Sequence, residues 1–190
     1  MFAPALLTAT PFWFLRHGET DWNAQNLSQG NVDIPLNELG LAQARSAAEK
    51  LLGRGIATIV ASPLSRARVT AEYAGKALGL KVAVDEGLRE VSFGVQEGQP
   101  MSEWFSHWVE GHLTPEKAEA FADLRERAVA AINRCVALPA PVLVVAHGAL
   151  FRALRQAMGL EPNIRTPNAV PILCQPPAGA ETAWTLLPTP

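Results

Sequence analysis

The run Phe12-Trp13-Phe14-Leu15, followed at once by Arg16-His17-Gly18-Glu19-Thr20, constrains this chain more than any other stretch. Four apolar residues after Pro11 are too few for a helix and read as a buried strand. Polar chemistry begins where that strand ends, and Gly18 permits a sharp bend and the close approach of a ligand. A histidine with a neutral ring is a competent nucleophile toward phosphorus. A neighbouring arginine disfavours a metal cation and favours an anion. The stretch therefore reads as His17 attacking a phosphate that Arg16 helps to hold.

The rest of the chain alternates strand-like and helix-like segments. After a polar loop over 21–35, Asn37 caps a helix with Leu41, Ala44, Ala48, Leu51 and Leu52 at helical spacing. Strand 56–61 leads to Ser62-Pro63, read as cap and first turn of a helix that runs to Leu78 and stops at Gly79. Strand 81–84, a loop over 85–100 and a short helix over 101–111 follow. Pro115 is expected to open a long helix ending near Val136. Strand 142–146 precedes His147-Gly148 and a helix over 149–158, and strands over 170–174 and 182–187 close the chain. This alternation predicts an α/β fold, a three-layer α/β/α sandwich with a largely parallel central sheet. A single domain over 1–190 is expected, with 1–10 as a loosely held extension and about 98–115 as a short lid-like insert. Such sheets bind ligands beyond the carboxyl ends of their strands. Three polar motifs directly follow strands, at Arg16-His17-Gly18, Ser62 to Arg66, and His147-Gly148, so one crevice can hold all three.

Bulk properties narrow the partners. A net charge of −2 over 190 residues argues against nucleic acid and gives an anionic membrane no purchase. No apolar run reaches the ~18 residues of a membrane span. The start of the chain lacks a basic region and an export core, so a cytoplasmic location is expected. Cys135 and Cys174 lack metal or redox spacing and read as reduced thiols in or near the core. Nothing in the sequence sets an oligomeric state.

A phosphomonoester dianion suits paired arginine donors, and Arg66 follows a strand as Arg16 does. Its alternative is a solvated helix charge, as for Arg68. His147, with Gly148 behind it, is expected to donate a hydrogen bond to a phosphoryl oxygen. One carboxyl group must protonate the leaving alkoxide and then take a proton from water. Glu90 is the choice, with Glu86 and Glu97 as competitors and Glu19 facing away. His17, His147 and Glu90 are types that ligate zinc, but two arginines in the crevice would repel it, so neither metal nor cofactor is expected. Trp104 and Trp108, one helical turn apart, fit either core packing or a substrate lid; His107 and His112 read as solvated, and Trp13 and Trp184 as core.

These blocks resemble the histidine phosphatase superfamily, in its phosphoglycerate mutase-like branch 1. The resemblance rests on Arg16-His17-Gly18-Glu19-Thr20 with Asn23, on 30–36 with Gly40, Gln43 and Ala44, and on Ser62 to Ala67 with Thr70 and Ala71. Glu90 with Phe93-Gly94 and Glu97-Gly98, and 145–148 with Arg152, complete it in the family order. It implies metal-free phosphoryl transfer through a phosphohistidine on His17. It further implies that Arg16, Arg66 and His147 bind the phosphoryl group, that Asn23 adds a rim contact, and that an α/β sheet is flanked by helices. Gln96 stands where many relatives have tryptophan, and Ala118-Glu119-Ala120 where Gly-Glu-Ser is frequent; both departures concern substrate contacts.

The leading reading is a phosphatase for a small phosphomonoester. The alternatives are a phosphoglycerate mutase, a protein phosphohistidine phosphatase and a non-catalytic phospho-ligand binder. The resemblance implies a longer, basic insert in dedicated mutases, whereas 98–115 here is short and contains neither arginine nor lysine. Its aromatic residues would obstruct a flat protein partner.

Overall fold

The computed structural model describes residues 6–180 and 182–189. Strand β1 is Phe12–Arg16, followed by α1 (Asp21–Ala24), α2 (Glu38–Lys50), β2 (Thr58–Ala61), α3 (Ser65–Leu78) and β3 (Val82–Val84). Then come α4 (Glu103–Val109), α5 (Phe121–Val136), β4 (Val142–Ala146), α6 (Gly148–Ala157), β5 (Ile172–Gln175) and β6 (Thr185–Pro188). The sheet order is β3-β2-β4-β1-β5-β6. The β3-β2-β4-β1 portion is parallel, and β5 and β6 add antiparallel at one side.

Strand alternation sorts the core into two layers, because successive side chains point to opposite sheet faces. Phe12 and Phe14 of β1, with Val142 and Val144 of β4, pack under α5 and α6. Trp13 and Leu15, with Leu143 and Val145, pack under α2 and α3. Both faces are covered, which is why β1 and β4 read as unbroken apolar runs. Among the described residues no helix is long and apolar enough to cross a membrane.

Several boundaries differ from the sequence reading. The loop over 21–35 contains the one-turn helix α1, closed by a reciprocal cap between Thr20 and Asn23. Helix α3 starts at Ser65, with Leu64 as an N-cap that makes no side-chain cap bond. Pro115 does not open a helix. Instead 115–120 straps across the 92–95 loop, with Val95 N–H donating to Glu116 and Glu119 N–H to Ser92, and α5 begins at Phe121. Gly94 makes the strap possible: its φ is +55°, and a Cβ there would lie 2.1 Å from the Glu116 carbonyl oxygen. The described part of the N-terminal extension is docked, since Thr8 N–H donates to Asn133 Oδ1 and Asn133 Nδ2 to Leu6 O. The remainder, 1–5, lies outside the described residues.

Candidate active site

The carboxyl ends of β2, β4 and β1 lie side by side, so each strand delivers one polar motif to the same edge. His17 follows β1 and its N–H donates to Ala146 O at 3.0 Å; Ser62 follows β2 and donates likewise to Val145 O at 3.0 Å. The rings of His17 and His147 stand 5.3 Å apart between centroids.

The bend at His17-Gly18 is clamped from several sides. Gly18 N–H donates to Thr70 Oγ1 at 3.1 Å, Glu19 N–H to Gln43 Oε1 at 2.8 Å, and Asn168 Nδ2 to His17 O at 2.9 Å. Gly18 packs so closely on α2 that a Cβ would meet Gly40 O at 2.4 Å. The ring Nδ1 of His17 lies 2.7 Å from Gly18 O. A carbonyl only accepts, so Nδ1 carries the hydrogen and Nε2 keeps a free lone pair. Burial, then the charges of Arg66 and Arg16, hold the His17 pKa well below that of an ordinary histidine. The ring is therefore neutral at neutral pH, as a nucleophile requires.

Two buried guanidinium groups are fixed by carbonyls. Arg16 Nη1 donates to Thr166 O at 2.6 Å, and Arg66 donates through Nη1 to Val32 O and through Nη2 to Gly30 O, each at 2.8 Å. Burial brings both pKa values down to about 10, which leaves both groups charged. The Nε atoms of Arg16 and Arg66 and Nδ1 of His147 are buried without a partner among the described residues. Unpartnered buried donors are costly, and three in one place mark a site built to receive an acceptor. The first N–H of α3 is already used within the protein, since Ser65 N–H donates to Asp33 Oδ1 at 2.8 Å.

His147 is fully buried, and its Nε2 lies 2.7 Å from Ser62 Oγ. Ser62 is thus the partner of His147 and not the cap of α3. The Ser62 hydroxyl already accepts from Leu64 N–H at 3.3 Å, and donating its hydrogen to Nε2 leaves the hydrogen of His147 on Nδ1, the atom without a partner. Burial, then Arg66, His17 and Arg16, hold its pKa well below the ordinary value.

The Glu90 side chain, from the loop after β3, reaches the start of α6. Its Oε1 accepts from Val91 N–H at 3.0 Å and Leu150 N–H at 2.9 Å, and Oε2 from Ala149 N–H at 2.9 Å. Oε2 retains a lone pair for a proton. The competing carboxylates are committed elsewhere. Glu86 pairs with Arg89 at the surface, Glu97 accepts from Asn31 and Phe93 N–H groups, and Glu19 accepts from Asn37.

A cleft of about 140 Å³ gathers Arg16, His17, Asn23, Arg66, Glu90 and Gly148. His147 lies just behind it. Arg68, by contrast, is solvated beside Glu72. Phe93, Met101 and Phe105 form the apolar wall. Trp104 and Trp108 do not line it; both are core, with Trp108 Nε1 donating to Glu119 O at 2.9 Å. Trp13 and Trp184 are buried as expected, and both cysteines are buried free thiols, with burial raising Cys135 to about 12.

The sequence reading passed over the segment between α6 and β5, which supplies Arg165 and Thr166 to the cleft and Asn168 to the bend. Its length was the available signal, because long loops without secondary structure in compact folds are commonly functional. Arg127 was also missed. It pairs with Glu119 at 2.7 Å and donates to Gly87 O and Arg89 O at 2.9 and 2.8 Å, fastening the turn that presents Glu90.

Taken together, a neutral imidazole, two fixed guanidinium groups and a buried carboxylate at one sheet edge define a phosphoryl-transfer site. The profile of the histidine phosphatase superfamily, branch 1, matches residues 12–170, and the chain belongs to that superfamily. A protein named probable phosphoglycerate mutase GpmB, from Yersinia enterocolitica, is 38% identical over 164 residues, spanning 80% of this chain and 76% of that protein. The mycobacterial glucosyl-3-phosphoglycerate phosphatase, solved with VO3, is 33% identical with a TM-score of 0.80, covering 93% of this chain and 96% of that one. The phosphoserine phosphatase of Entamoeba histolytica, at 24% identity and a TM-score of 0.77 over 93% of this chain and 94% of that one, shares the fold.

Proposed function

We propose that this protein is a metal-independent phosphatase that hydrolyses a small phosphomonoester through a phosphohistidine on His17. Nε2 of His17 attacks phosphorus, the N–P bond forms, and the P–O bond to the alcohol breaks. Glu90 gives its proton to the departing alkoxide. Water then attacks the phosphohistidine, Glu90 takes its proton, and the N–P bond breaks to release phosphate and neutral His17. Arg16, Arg66 and Nδ1–H of His147 hold the phosphoryl oxygens throughout, and Asn23 and Gly148 complete the rim. The observation that carries this reading is the set of three unpartnered buried N–H groups beside a histidine whose Nε2 is free. The cleft is smaller than the ~300–1,000 Å³ of drug-sized sites, which favours a compact ester over a protein segment.

The mutase reading is favoured by the name of the Yersinia relative. Against it, 98–115 offers no arginine or lysine to retain the alcohol for return of the phosphoryl group. The free buried thiols accord with a cytoplasmic setting.

The test is an ester panel on wild type and His17→Ala, run in excess chelator, with acid-labile phosphoenzyme trapping. Wild type should release phosphate steadily without a bisphosphate primer and trap label, and the variant should do neither. Activity lost to chelator, or label retained by the variant, sinks the proposal. Exclusive interconversion of phosphoglycerates would establish the mutase instead.

A further inference from the structure

The segment between the cleft wall and the 115–120 strap carries a side-chain cluster that phosphoryl transfer does not use. His107 on α4, Glu110 at its C-cap and His112 two residues further on have donor atoms that all lie within 4.8 Å of one another. All three residues are exposed, as expected of the histidines. His112 Nδ1 is 3.2 Å from Glu110 Oε2, and His107 Nδ1 is 3.9 Å from the same oxygen. The two rings stand 6.4 Å apart between centroids. None of the three residues lines the catalytic cleft.

The backbone creates this grouping. Helix α4 closes in a Schellman turn: His112 N–H donates to His107 O at 2.8 Å and Gly111 N–H to Trp108 O at 3.1 Å, with Gly111 at φ +77°. Such a turn brings together the side chains of a residue in the last helical turn and the second residue past the cap, where an apolar contact is usual. Here both positions hold imidazoles, and the cap residue between them holds a carboxylate. Among the described residues the two rings are the only ion-pair partners of Glu110, and 98–115 contains neither arginine nor lysine. A tetrahedral zinc ion, with ligands at about 2.0–2.2 Å, sets its donor atoms about 3.3 Å apart. The His112–Glu110 pair already has that spacing. His107 has to close by about an ångström, a small rotation for an exposed side chain.

We propose that His107, Glu110 and His112 form a surface site for a late first-row divalent cation, with Zn2+ as the fitting ion. Two imidazole nitrogens and one carboxylate oxygen are its protein ligands, and water completes the shell. The nitrogen donors select against Mg2+ and Ca2+, which take oxygen ligands. The consequence is structural, because the ion ties the chain beyond the turn back onto α4. That helix presents Phe105 to the cleft wall, and its Ser106 Oγ accepts from Asn163 Nδ2 at 3.2 Å. No chemical step passes through the ion, and the site does not depend on the phosphatase reading.

The test is calorimetric titration of the untagged, chelator-stripped full chain with Zn2+, beside 15N NMR of the histidine rings. The chain has four histidines, so the spectrum identifies which rings take the ion. One ion should bind per chain, and the His107 and His112 signals should shift while those of His17 and His147 stay. At a hundredfold excess over Kd, Tm should rise by about 5–10 °C. His107→Ala, His112→Ala and Glu110→Gln should each weaken binding by at least about tenfold, since loss of an outer-shell partner alone costs 10–100-fold. His17→Ala should bind Zn2+ as the wild type does, and excess Mg2+ should not displace it. Shifts at His17 and His147 in place of the exposed pair would put the ion in the cleft and overturn the surface site. So would an affinity unchanged in the double variant His107→Ala/His112→Ala, displacement by Mg2+, or a wild-type Kd above about 1 mM.

Discussion

Ser62→Ala isolates the most specific claim about the site, that a serine sets the tautomer of the second histidine. The hydroxyl lies 2.7 Å from His147 Nε2, and both residues are fully buried, so no water replaces it without rearrangement. Removing it leaves a buried imidazole nitrogen unsatisfied, at a cost of about 1–3 kcal/mol in stability. For a chain of this length that is a fall of roughly 2–10 °C in Tm. The effect on chemistry is separate. Without the serine the hydrogen is free to move from Nδ1 to Nε2, and a histidine protonated at Nε2 offers the phosphoryl group a lone pair in place of a donor. The penalty is a partial loss, about tenfold in kcat or ~1.4 kcal/mol. His147→Ala deletes the donor and should cost about 10²–10³-fold. The assay is steady-state turnover of one ester by wild type and both variants, with 15N NMR of the histidine ring to read the tautomer. The expected order is wild type, Ser62→Ala, His147→Ala, with the Nδ1–H signal weakened in the serine variant. A serine variant that loses stability but keeps the wild-type kcat and the Nδ1–H tautomer would refute the assignment.

Two further outcomes are expected. Arg127→Met breaks the clamp on Gly87 and Arg89 carbonyls while keeping an apolar stem, so Glu90 should protonate leaving groups poorly. Turnover of an alkyl phosphate should fall at least tenfold further than that of p-nitrophenyl phosphate, whose leaving group needs no acid; an equal fall for both esters would mean only general destabilisation. His17 and His147 both have folded pKa values depressed well below 6.5, so below that pH the unfolded chain binds more protons than the native one. Their contribution to stability is complete above pH 6.5 and is lost as pH falls, by up to ~1.4 kcal/mol per group per pH unit, and denaturant midpoints flat from pH 7 to 5 would contradict it.

What the sequence discloses here follows the range over which each signal acts. The strand ends are legible because the information is local: Phe12 to Leu15 and Val142 to Ala146 are apolar throughout, and each run is stopped by a polar residue of the candidate site, Arg16 or His147. Helix ends are less secure where a tertiary contact competes with a cap. Ser62-Pro63 has the composition of a helix start, yet the hydroxyl is drawn 85 residues along the chain to His147, and Leu64 is left at the boundary. Pro115 fails for the same reason, since pairing with Ser92 and Val95 holds 115–120 extended. Glu86 and Glu97 stay in competition with Glu90 in the sequence, because three carboxylates in one loop look alike until α6 brings two N–H groups to one of them. Arg165 and Asn168 were invisible because β5 runs antiparallel beside β1, and only that pairing swings the preceding loop across the crevice. Arg16, His17 and His147 are announced where strands stop, whereas Arg165 and Thr166 reach the cleft only because β5 lies beside β1.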